Sequence, residues 1–277
     1  MNWWLGQCGA HLILGPVFGK TGPRIRCAPQ LSNSTNDVVL SGRSLSRLFE
    51  AGMGGSLRLI NLVLADGQIQ GTNGRQPNLF DMSGLSGAGQ SVEGGGILLS
   101  NATLYADGCV FTNCTSIGGD GSEALTLGGA SGPGGVAVGG AISAHNSAVL
   151  LTNCVLSGNR SFAGLSGTIG IHARQRYYAH GAGAALSAQA SVVSVANSTF
   201  SDNYATSRGG VIEAVLSDAK VADSIFAGNS VGATAVDSQG GAIAMSDGQM
   251  IIRTAHSTET AQGAAAERSL FLLGLPA

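Results

Sequence analysis

One segment concentrates the side chains best suited to recognising a ligand. Between residues 172 and 180 the chain reads His-Ala-Arg-Gln-Arg-Tyr-Tyr-Ala-His, although only 5% of all residues are aromatic. Arginine pairs with carboxylates and sulfates, and tyrosine stacks on sugar faces. The segment predicts contact with an anionic glycan or a host or cell-surface protein; a solvated loop with its aromatic rings folded back onto the protein is the alternative. The candidate binding residues are His172, Arg174, Arg176, Tyr177, Tyr178 and His180.

The carboxylates do not form a recognisable catalytic set. A polysaccharide lyase or hydrolase needs acids that converge to bind calcium or to act as an acid/base pair about 5 to 9 Å apart. The acids here are scattered, although Asp202, Asp223 and Lys220 could approach one another across neighbouring turns. No nucleophile elbow supports a Ser-His-Asp enzyme. We therefore predict no catalytic residue and no cofactor, and the sequence leans against an enzyme.

The elements that would position such side chains follow from a repeated template. Each copy has three small residues ending in an aliphatic anchor, then an apolar residue fourteen positions after the anchor, and usually an Asn three positions later. The copies start 45, 44 and 26 residues apart, so the unit is rigid and the length varies between units, as in a solenoid. The anchors are Ile97, Ile142, Leu186 and Ile212, and the later apolar residues are Phe111, Leu156, Phe200 and Phe226.

The spacing inside each copy indicates β-strands. Apolar residues recur seven and nine positions after each anchor, with a variable residue between them, which is a period of two. A strand that returns to the same column on every copy must travel once around a coil. The sequence thus predicts an all-β fold, a single-stranded parallel β-helix, in which the anchors form one buried stack and the later apolar residues form another.

Asparagines occupy fixed positions in this template. Asn159, Asn203 and Asn229 lie seventeen residues after their anchors, and Asn153, Asn197 and Asp223 lie eleven residues after them. Stacked amides bond to one another along a coil, and Asn tolerates the left-handed backbone of a tight corner. We predict a structural asparagine ladder; the alternative is that Asn is simply common in turns.

Two stretches lengthen the repeats. Thr115 to Val138 is predicted to be a projecting loop, and Arg160 to Ala182 a partly ordered one. Within the first, Gly118 to Leu125 imitates a calcium-binding nonapeptide, but such sites need tandem copies, so a glycine-rich loop is the simpler interpretation.

Cys109 and Cys154 share one column, twelve residues after their anchors. On consecutive turns they would stack at roughly 4.8 Å, within reach of a disulfide, or they would remain two reduced, stacked residues. No second cysteine or histidine pair follows Cys109 and Cys114 at the spacing of a zinc finger, so no metal site is predicted.

Together these features resemble a known family. The Gly-Gly-Ala-Ile motifs paired with Phe-x-x-Asn, as at Phe200 to Asn203 and Phe226 to Asn229, are similar to the repeats of polymorphic outer-membrane proteins and related right-handed β-helix surface proteins. The resemblance spans roughly residues 37 to 260. It implies a right-handed coil and an adhesive or structural role, secreted or at the cell surface in association with an outer membrane. A carbohydrate-active enzyme of the pectate-lyase-like class is the alternative.

Composition agrees with one extended repeat domain. The chain has 277 residues, of which 44% are hydrophobic and 11% charged, with a net charge of −2. No cluster of Lys and Arg suits nucleic acid. We assign 1–36 to an N-terminal cap or incomplete leader, 37–260 to the β-helix and 261–277 to a degenerate tail. The apolar stretch from Leu270 is too short to span a membrane, so no transmembrane segment is predicted.

Overall fold

A computed structural model describes ten stretches of the chain, and every element in them is a β-strand. These stretches are 2–5, 10–14, 24–27, 38–76, 87–123, 131–167, 179–232, 240–253, 256–258 and 261–262. No helix occurs among these residues. Four strands precede the first turn: β1 Asn2–Leu5, β2 Ala10–Leu14, β3 Arg24–Cys27 and β4 Val38–Ser41.

Six successive turns follow, each built from four or five short strands. Turn 1 has β5 Phe49–Gly52, β6 Ser56–Ile60, β7 Leu62–Ala65, β8 Gln68–Gln70 and β9 Val92–Glu93. Turn 2 has β10 Ile97–Ser100, β11 Thr103–Asp107, β12 Val110–Thr112, β13 Thr115–Ile117 and β14 Ala137–Val138. Turn 3 has β15 Ile142–His145, β16 Ala148–Thr152, β17 Val155–Ser157, β18 Arg160–Phe162 and β19 Gly181–Ala182.

The later turns are shorter. Turn 4 has β20 Leu186–Gln189, β21 Val192–Ala196, β22 Thr199–Ser201 and β23 Tyr204–Ala205. Turn 5 has β24 Ile212–Val215, β25 Asp218–Ala222, β26 Ile225–Ala227 and β27 Ser230–Val231. Turn 6 has β28 Ile243–Ser246, β29 Met250–Arg253, β30 His256–Thr258 and β31 Ala261–Gln262.

Equivalent strands of successive turns stack into parallel sheets, an arrangement consistent with a parallel β-helix or solenoid. Sheet A runs β1-β2-β6-β11-β16-β21-β25-β29, and sheet B runs β3-β4-β7-β12-β17-β22-β26-β30. Sheet C runs β5-β10-β15-β20-β24-β28, sheet D runs β8-β13-β18-β23-β27-β31, and sheet E is β9-β14-β19. Among the strands that the structure describes, the pairings of β1 with β2, β2 with β6 and β3 with β4 are antiparallel and the others are parallel.

The core consists of the columns in which the template places apolar residues. Ile97 pairs with Ile142 in sheet C, and the column continues through the later anchors, all of them fully buried. In sheet B, Phe200 and Phe226 stack with ring centroids 4.9 Å apart and planes 6° from parallel. Side chains of the same column thus pack against each other from turn to turn.

Left-handed residues make the corners between sheets. The first glycine of each template triplet has a positive φ, and a Cβ on Gly94 would lie only 2.3 Å from the carbonyl oxygen of Ile97. The corner between sheets A and B also has positive φ in every turn from 1 to 5, and Asn153, Asn197 and Asp223 occupy it in turns 3 to 5. These three exposed residues are therefore corner residues rather than members of the buried ladder.

Three ladders of polar side chains form hydrogen bonds between successive turns inside the coil. The Asn203 amide nitrogen donates to the Asn229 side-chain oxygen at 2.9 Å and to the Leu156 carbonyl at 2.9 Å, and its side-chain oxygen accepts from Asn159 at 3.0 Å. All three asparagines are fully buried. Serines form two further ladders at the other corners. Each buried amide or hydroxyl in these ladders has a hydrogen-bond partner, as buried polar groups require.

Candidate functional site

The predicted recognition segment lies mostly outside the described residues. His172, Arg174, Arg176, Tyr177 and Tyr178 fall in the undescribed stretch 168–178. His180 is described and exposed, and its carbonyl oxygen accepts a hydrogen bond from the amide of Ala137 at 2.9 Å. The C-terminal end of the segment is therefore anchored against turn 2.

The base of this segment belongs to an ordered feature that we call the glycine lattice. The long insertions of turns 1, 2 and 3 leave the coil after sheet D and return to it at sheet E, running side by side. The lattice consists of the outgoing segments 71–76, 118–123 and 163–167 and the returning segments 87–91, 131–136 and 179–180.

Backbone hydrogen bonds hold the lattice together with a period of three residues. Gly71 N donates to Ile117 O at 2.8 Å, and three residues later Gly74 N donates to Asp120 O at 2.7 Å. The next outgoing segment repeats the step of three, and so do the bonds that link outgoing to returning segments. A period of three is typical of a polyproline-type extended helix. Such a helix makes no internal hydrogen bonds, so the backbone groups of each lattice segment are available to the neighbouring segments.

Glycine is required in the lattice because the backbones approach closely. A Cβ on Gly119 would lie 2.0 Å from the carbonyl oxygen of Thr72, and one on Gly164 would lie 1.9 Å from that of Gly119. Neither glycine has a φ in the left-handed region, so the requirement is for space rather than for a turn. The prediction of a projecting loop at Thr115 to Val138 and a partly ordered one at Arg160 to Ala182 is corrected here, because the described parts of both consist of short strands of sheets D and E and of segments of this lattice.

A second feature, the polar strip, lies where sheets C and E meet. His145 Nε2 and a Glu93 carboxylate oxygen are 2.6 Å apart. Arg47 donates to the carbonyl oxygens of Glu93 and Gly94, and it forms an ion pair with Glu50 at 2.9 Å. The strip contains Arg47, Glu50, Glu93, Ser143, His145, Ser187, Arg208 and Glu213.

The ionisable groups of the strip shift each other's protonation. The hydrogen bond to Glu93 raises the pKa of His145, and the same bond lowers the pKa of Glu93. Glu213 differs, because burial raises its pKa, opposed by a hydrogen bond from Ser187 at 3.2 Å and by the charge of Arg208. Shifted carboxyl groups of this kind are candidates for a functional site, although structural ion pairs produce them too.

The strip does not have the geometry of a catalytic triad. Ser143 Oγ lies 3.4 Å from Nε2 of His145, which is the same ring nitrogen that contacts Glu93. A triad needs the serine and the carboxylate on opposite ring nitrogens. Ser143 is also fully buried, so its hydroxyl is closed to a substrate.

The other predicted groups are not brought together. Asp202 lies at the corner after β22 and Asp223 at the corner before β26, so the width of sheet B separates them. Lys220 is exposed on the outer face of sheet A. Within the described residues, no three His, Cys, Asp or Glu side chains are grouped as metal ligands.

The surface of the described residues also has open clefts. One of about 650 Å³ lies on the outer face of sheet A, beside Arg58, Tyr105 and Leu150. Another, of about 240 Å³, lies on the glycine lattice beside Asn73, Asp120 and Glu123. The Asp120 carboxylate accepts a hydrogen bond from the amide of Leu165 at 2.8 Å, so its role is to stabilise the lattice.

Reading apolar columns alone overlooked the polar strip. Glu93 and Arg208 each stand four residues before an anchor, but Val138 and Ala182 occupy that position in the turns between them, so the column carries no repeating charge. The lattice did have a signal, in the glycines that recur near every third residue from Gly118 to Gly121 and from Gly132 to Gly135.

Comparison with known proteins gives no relative: the chain matches no protein-family profile, no curated protein sequence and no solved structure. In the part of the chain that the structure describes, no helix has the length and apolar character to cross a bilayer.

Proposed function

We propose that this protein is a non-catalytic, right-handed parallel β-helix, secreted or displayed at the cell surface, that acts in adhesion or as a structural spacer. The resemblance of its repeats to polymorphic outer-membrane proteins supports the handedness, the location and the role. The recognition element that we propose is the segment from His172 to His180, and its partner is an anionic glycan or a host-cell surface protein.

The observation that carries this proposal is the glycine lattice. It joins the bases of three long insertions through backbone hydrogen bonds, and one of these insertions contains the recognition segment. A loop on a rigid scaffold can vary in sequence without disturbing the core, which suits a binding role. The inward columns are filled by aliphatic and aromatic side chains, so the coil interior is closed to a ligand.

The test compares two matched double variants in binding to a sulfated glycan such as heparin. Replacing Arg176 and Tyr177 by Ser removes one cation and one aromatic ring from the recognition segment. The control replaces Arg58 and Tyr105 by Ser, since Arg58 and Tyr105 are exposed neighbours on sheet A. We expect a loss of about tenfold or more in affinity for the first variant, equivalent to about 1.4 kcal/mol, and little change for the control. Equal binding by both variants would refute the segment as the recognition site.

A carbohydrate-active enzyme is the second candidate, and the half-buried carboxyl of Glu213, with its raised pKa, favours it. A raised pKa suits a general acid. Against this, Glu93 lies just before β10, and Glu213 lies in β24, three strand spacings or about 14 Å further along sheet C, which exceeds the separation of glycosidase carboxylates. Incubation with uronate and neutral polysaccharides would decide: release of reducing ends that disappears in Glu213→Gln would establish the enzyme and overturn the non-catalytic proposal.

A further inference from the structure

Two buried thiols face each other across consecutive turns. Cys109 and Cys154 immediately precede β12 and β17, which pair in parallel with Val110 opposite Val155. The two cysteines therefore occupy the same place in turns 2 and 3, with their backbones about 4.8 Å apart. Both side chains are fully buried, and both thiols are free in this structure.

The two sulfur atoms converge on the end of one strand. The Cys109 thiol lies 3.5 Å from the carbonyl oxygen of Asp107. The Cys154 thiol lies 3.2 Å from the carbonyl of Thr152 in its own turn and 3.5 Å from that of Ala106 in the turn below. Because Ala106 and Asp107 are adjacent in β11, the Cys154 side chain leans towards the turn that contains Cys109.

The electrostatics of the pair agree with this contact. The hydrogen bond between the thiols raises the pKa of Cys109 and lowers the pKa of Cys154, which makes Cys154 the more readily ionised sulfur. The third described cysteine has no such neighbour. The Cys114 thiol contacts the carbonyl oxygens of Leu64 and Thr112, and burial raises its pKa to about 12.

We propose that Cys109 and Cys154 are a redox pair that closes into an inter-turn disulfide in an oxidising compartment. A backbone spacing of about 4.8 Å falls within the range of 4.4 to 6.8 Å that a disulfide spans. The bond would join turns 2 and 3 next to the corner between sheets A and B. This inference does not depend on the proposed adhesive role.

The disulfide forms by two successive thiol–disulfide exchanges with the disulfide of a small molecule or an enzyme. The thiolate of Cys154 attacks one sulfur of that oxidant and releases its other half as a thiol. The Cys109 thiolate then attacks the mixed disulfide and releases the second half. One S–S bond is broken in the oxidant and one forms in the protein, and the two thiol protons pass to the released thiols.

The residues at the equivalent position of later turns indicate which substitutions of Cys109 and Cys154 should still fold. In turns 4 and 5 the equivalent positions are Ser198 and Ser224, both buried. Ser198 Oγ accepts the amide of Cys154 at 3.1 Å, so serine already works as a ladder residue at this corner. Cys109→Ser and Cys154→Ser thus remove a sulfur without removing the side chain's structural role, and Cys114→Ser is the matched control.

The experiment maps the bond in the full chain prepared in two ways. One sample is purified with a reductant and then treated with oxidised glutathione, and the other is secreted into an oxidising bacterial periplasm, where oxidation precedes burial. Cleavage before Asp107, Asp120 and Asp202 places Cys109 and Cys154 on different peptides. Mass spectrometry without reduction then detects any link.

We expect a linked pair of peptides and a loss of about 2 Da in at least the secreted sample, both reversed by reductant. The melting temperature should be about 5 to 10 °C higher in the oxidised protein than in the reduced one. Cys114→Ser should keep the link, and Cys109→Ser or Cys154→Ser should abolish it. Unlinked peptides in both wild-type samples, or a link that survives in Cys109→Ser, where Cys114 is the remaining cysteine of the first peptide, would overturn the proposal.

Discussion

Turns 3 and 4 both pass through sheets C, A, B and D in that order, but they differ in length. From its own anchor to the next anchor, turn 3 has 44 residues and turn 4 has 26. From the anchor to sheet D their strands pair in register. The whole difference lies after sheet D, where turn 3 enters the glycine lattice and turn 4 returns directly. One turn of the coil therefore needs only about 26 residues. The described extra residues of turn 3 belong to the glycine lattice, which lies outside the coil.

The two structures are stabilised by different forces. The coil buries aliphatic and aromatic columns, and each buried CH₂ group contributes about 0.8 kcal/mol. The lattice buries few side chains, and its order comes from backbone hydrogen bonds that contribute only about 0.5 to 1.5 kcal/mol each. Fixing a glycine backbone costs more conformational entropy than fixing any other residue. The coil should thus tolerate loss of the lattice better than the lattice tolerates loss of the coil.

The largest effect should come from breaking the shared core. Phe200→Ala removes a fully buried ring that stacks on Phe226, and it should lower the free energy of unfolding by about 3 to 5 kcal/mol. Denaturant unfolding followed by far-ultraviolet circular dichroism measures this. A loss below about 1 kcal/mol would mean that the ring is not a core residue.

Cutting the polar ladder inside the coil should cost somewhat less. Asn203→Ala removes the acceptor and donors that join Asn159, Leu156 and Asn229, leaving buried groups unsatisfied, so we expect a loss of about 2 to 3 kcal/mol. The control is Asn197→Ala at an exposed corner; Ala190 already adopts a positive φ at another corner, so the cost should be about 1 kcal/mol, the low end of the range for an L-residue in this conformation. Equal losses in the two variants would contradict the distinction between ladder and corner asparagines.

Disturbing the lattice alone should cost less again. Gly119→Ala places a methyl group against the Thr72 carbonyl and should destabilise the protein by about 1 to 3 kcal/mol. Gly52→Ala is the control, because its Cβ would lie at an ordinary 3.5 Å from Ser100 O. Amide hydrogen exchange should accelerate in the lattice of Gly119→Ala while the sheet A amides of turns 4 and 5 stay protected. Exchange that accelerates equally in both regions would show that lattice and coil unfold as one unit.

The smallest effect concerns the pair of His145 and Glu93. Because the pKa of His145 is raised on folding, its stabilising contribution is complete below about pH 6.5 and is lost as pH rises through the raised value. The pKa of Glu93 is lowered, so its contribution is present above about pH 4.3 and is lost as pH falls through the lowered value. The pair is partly exposed, so the total should be at most about 1 kcal/mol.

Thermal unfolding between pH 5 and 9 measures this contribution, with His145→Gln as the comparison. The wild type should lose stability above pH 6.5 relative to the variant, and the two should converge once the histidine is neutral. Parallel pH profiles for the two proteins would exclude the ion pair as a contributor.

The core was predictable from sequence because its chemistry repeats at fixed offsets. Ile142, Leu156 and Asn159 each stand where their counterparts stand one turn later, and an in-register coil requires that spacing. The lattice was missed because its glycines are needed for contacts between chain segments some 45 residues apart, and glycine composition alone also fits a flexible loop.

The polar strip was missed for a related reason. Glu93 and His145 are distant in sequence and meet only because β9 pairs with β14, which leads through a short corner into β15. Neither residue repeats in its column, so no periodic signal marks them. An ion pair between residues distant in sequence can be predicted only when it is known which strands lie beside each other.

The three-residue period of the glycine lattice also constrains how the gene can change length. Deleting or inserting three codons inside an outgoing or returning segment keeps every later donor opposite its acceptor, whereas a change of one or two codons rotates the following residues away from their partners. Between the two segments the insertions of turns 1, 2 and 3 already differ in length by numbers that are not all multiples of three, with ten, seven and eleven residues at 77–86, 124–130 and 168–178. Length variants among natural copies of this gene should therefore cluster in those three stretches, and the remainder should change in multiples of three residues.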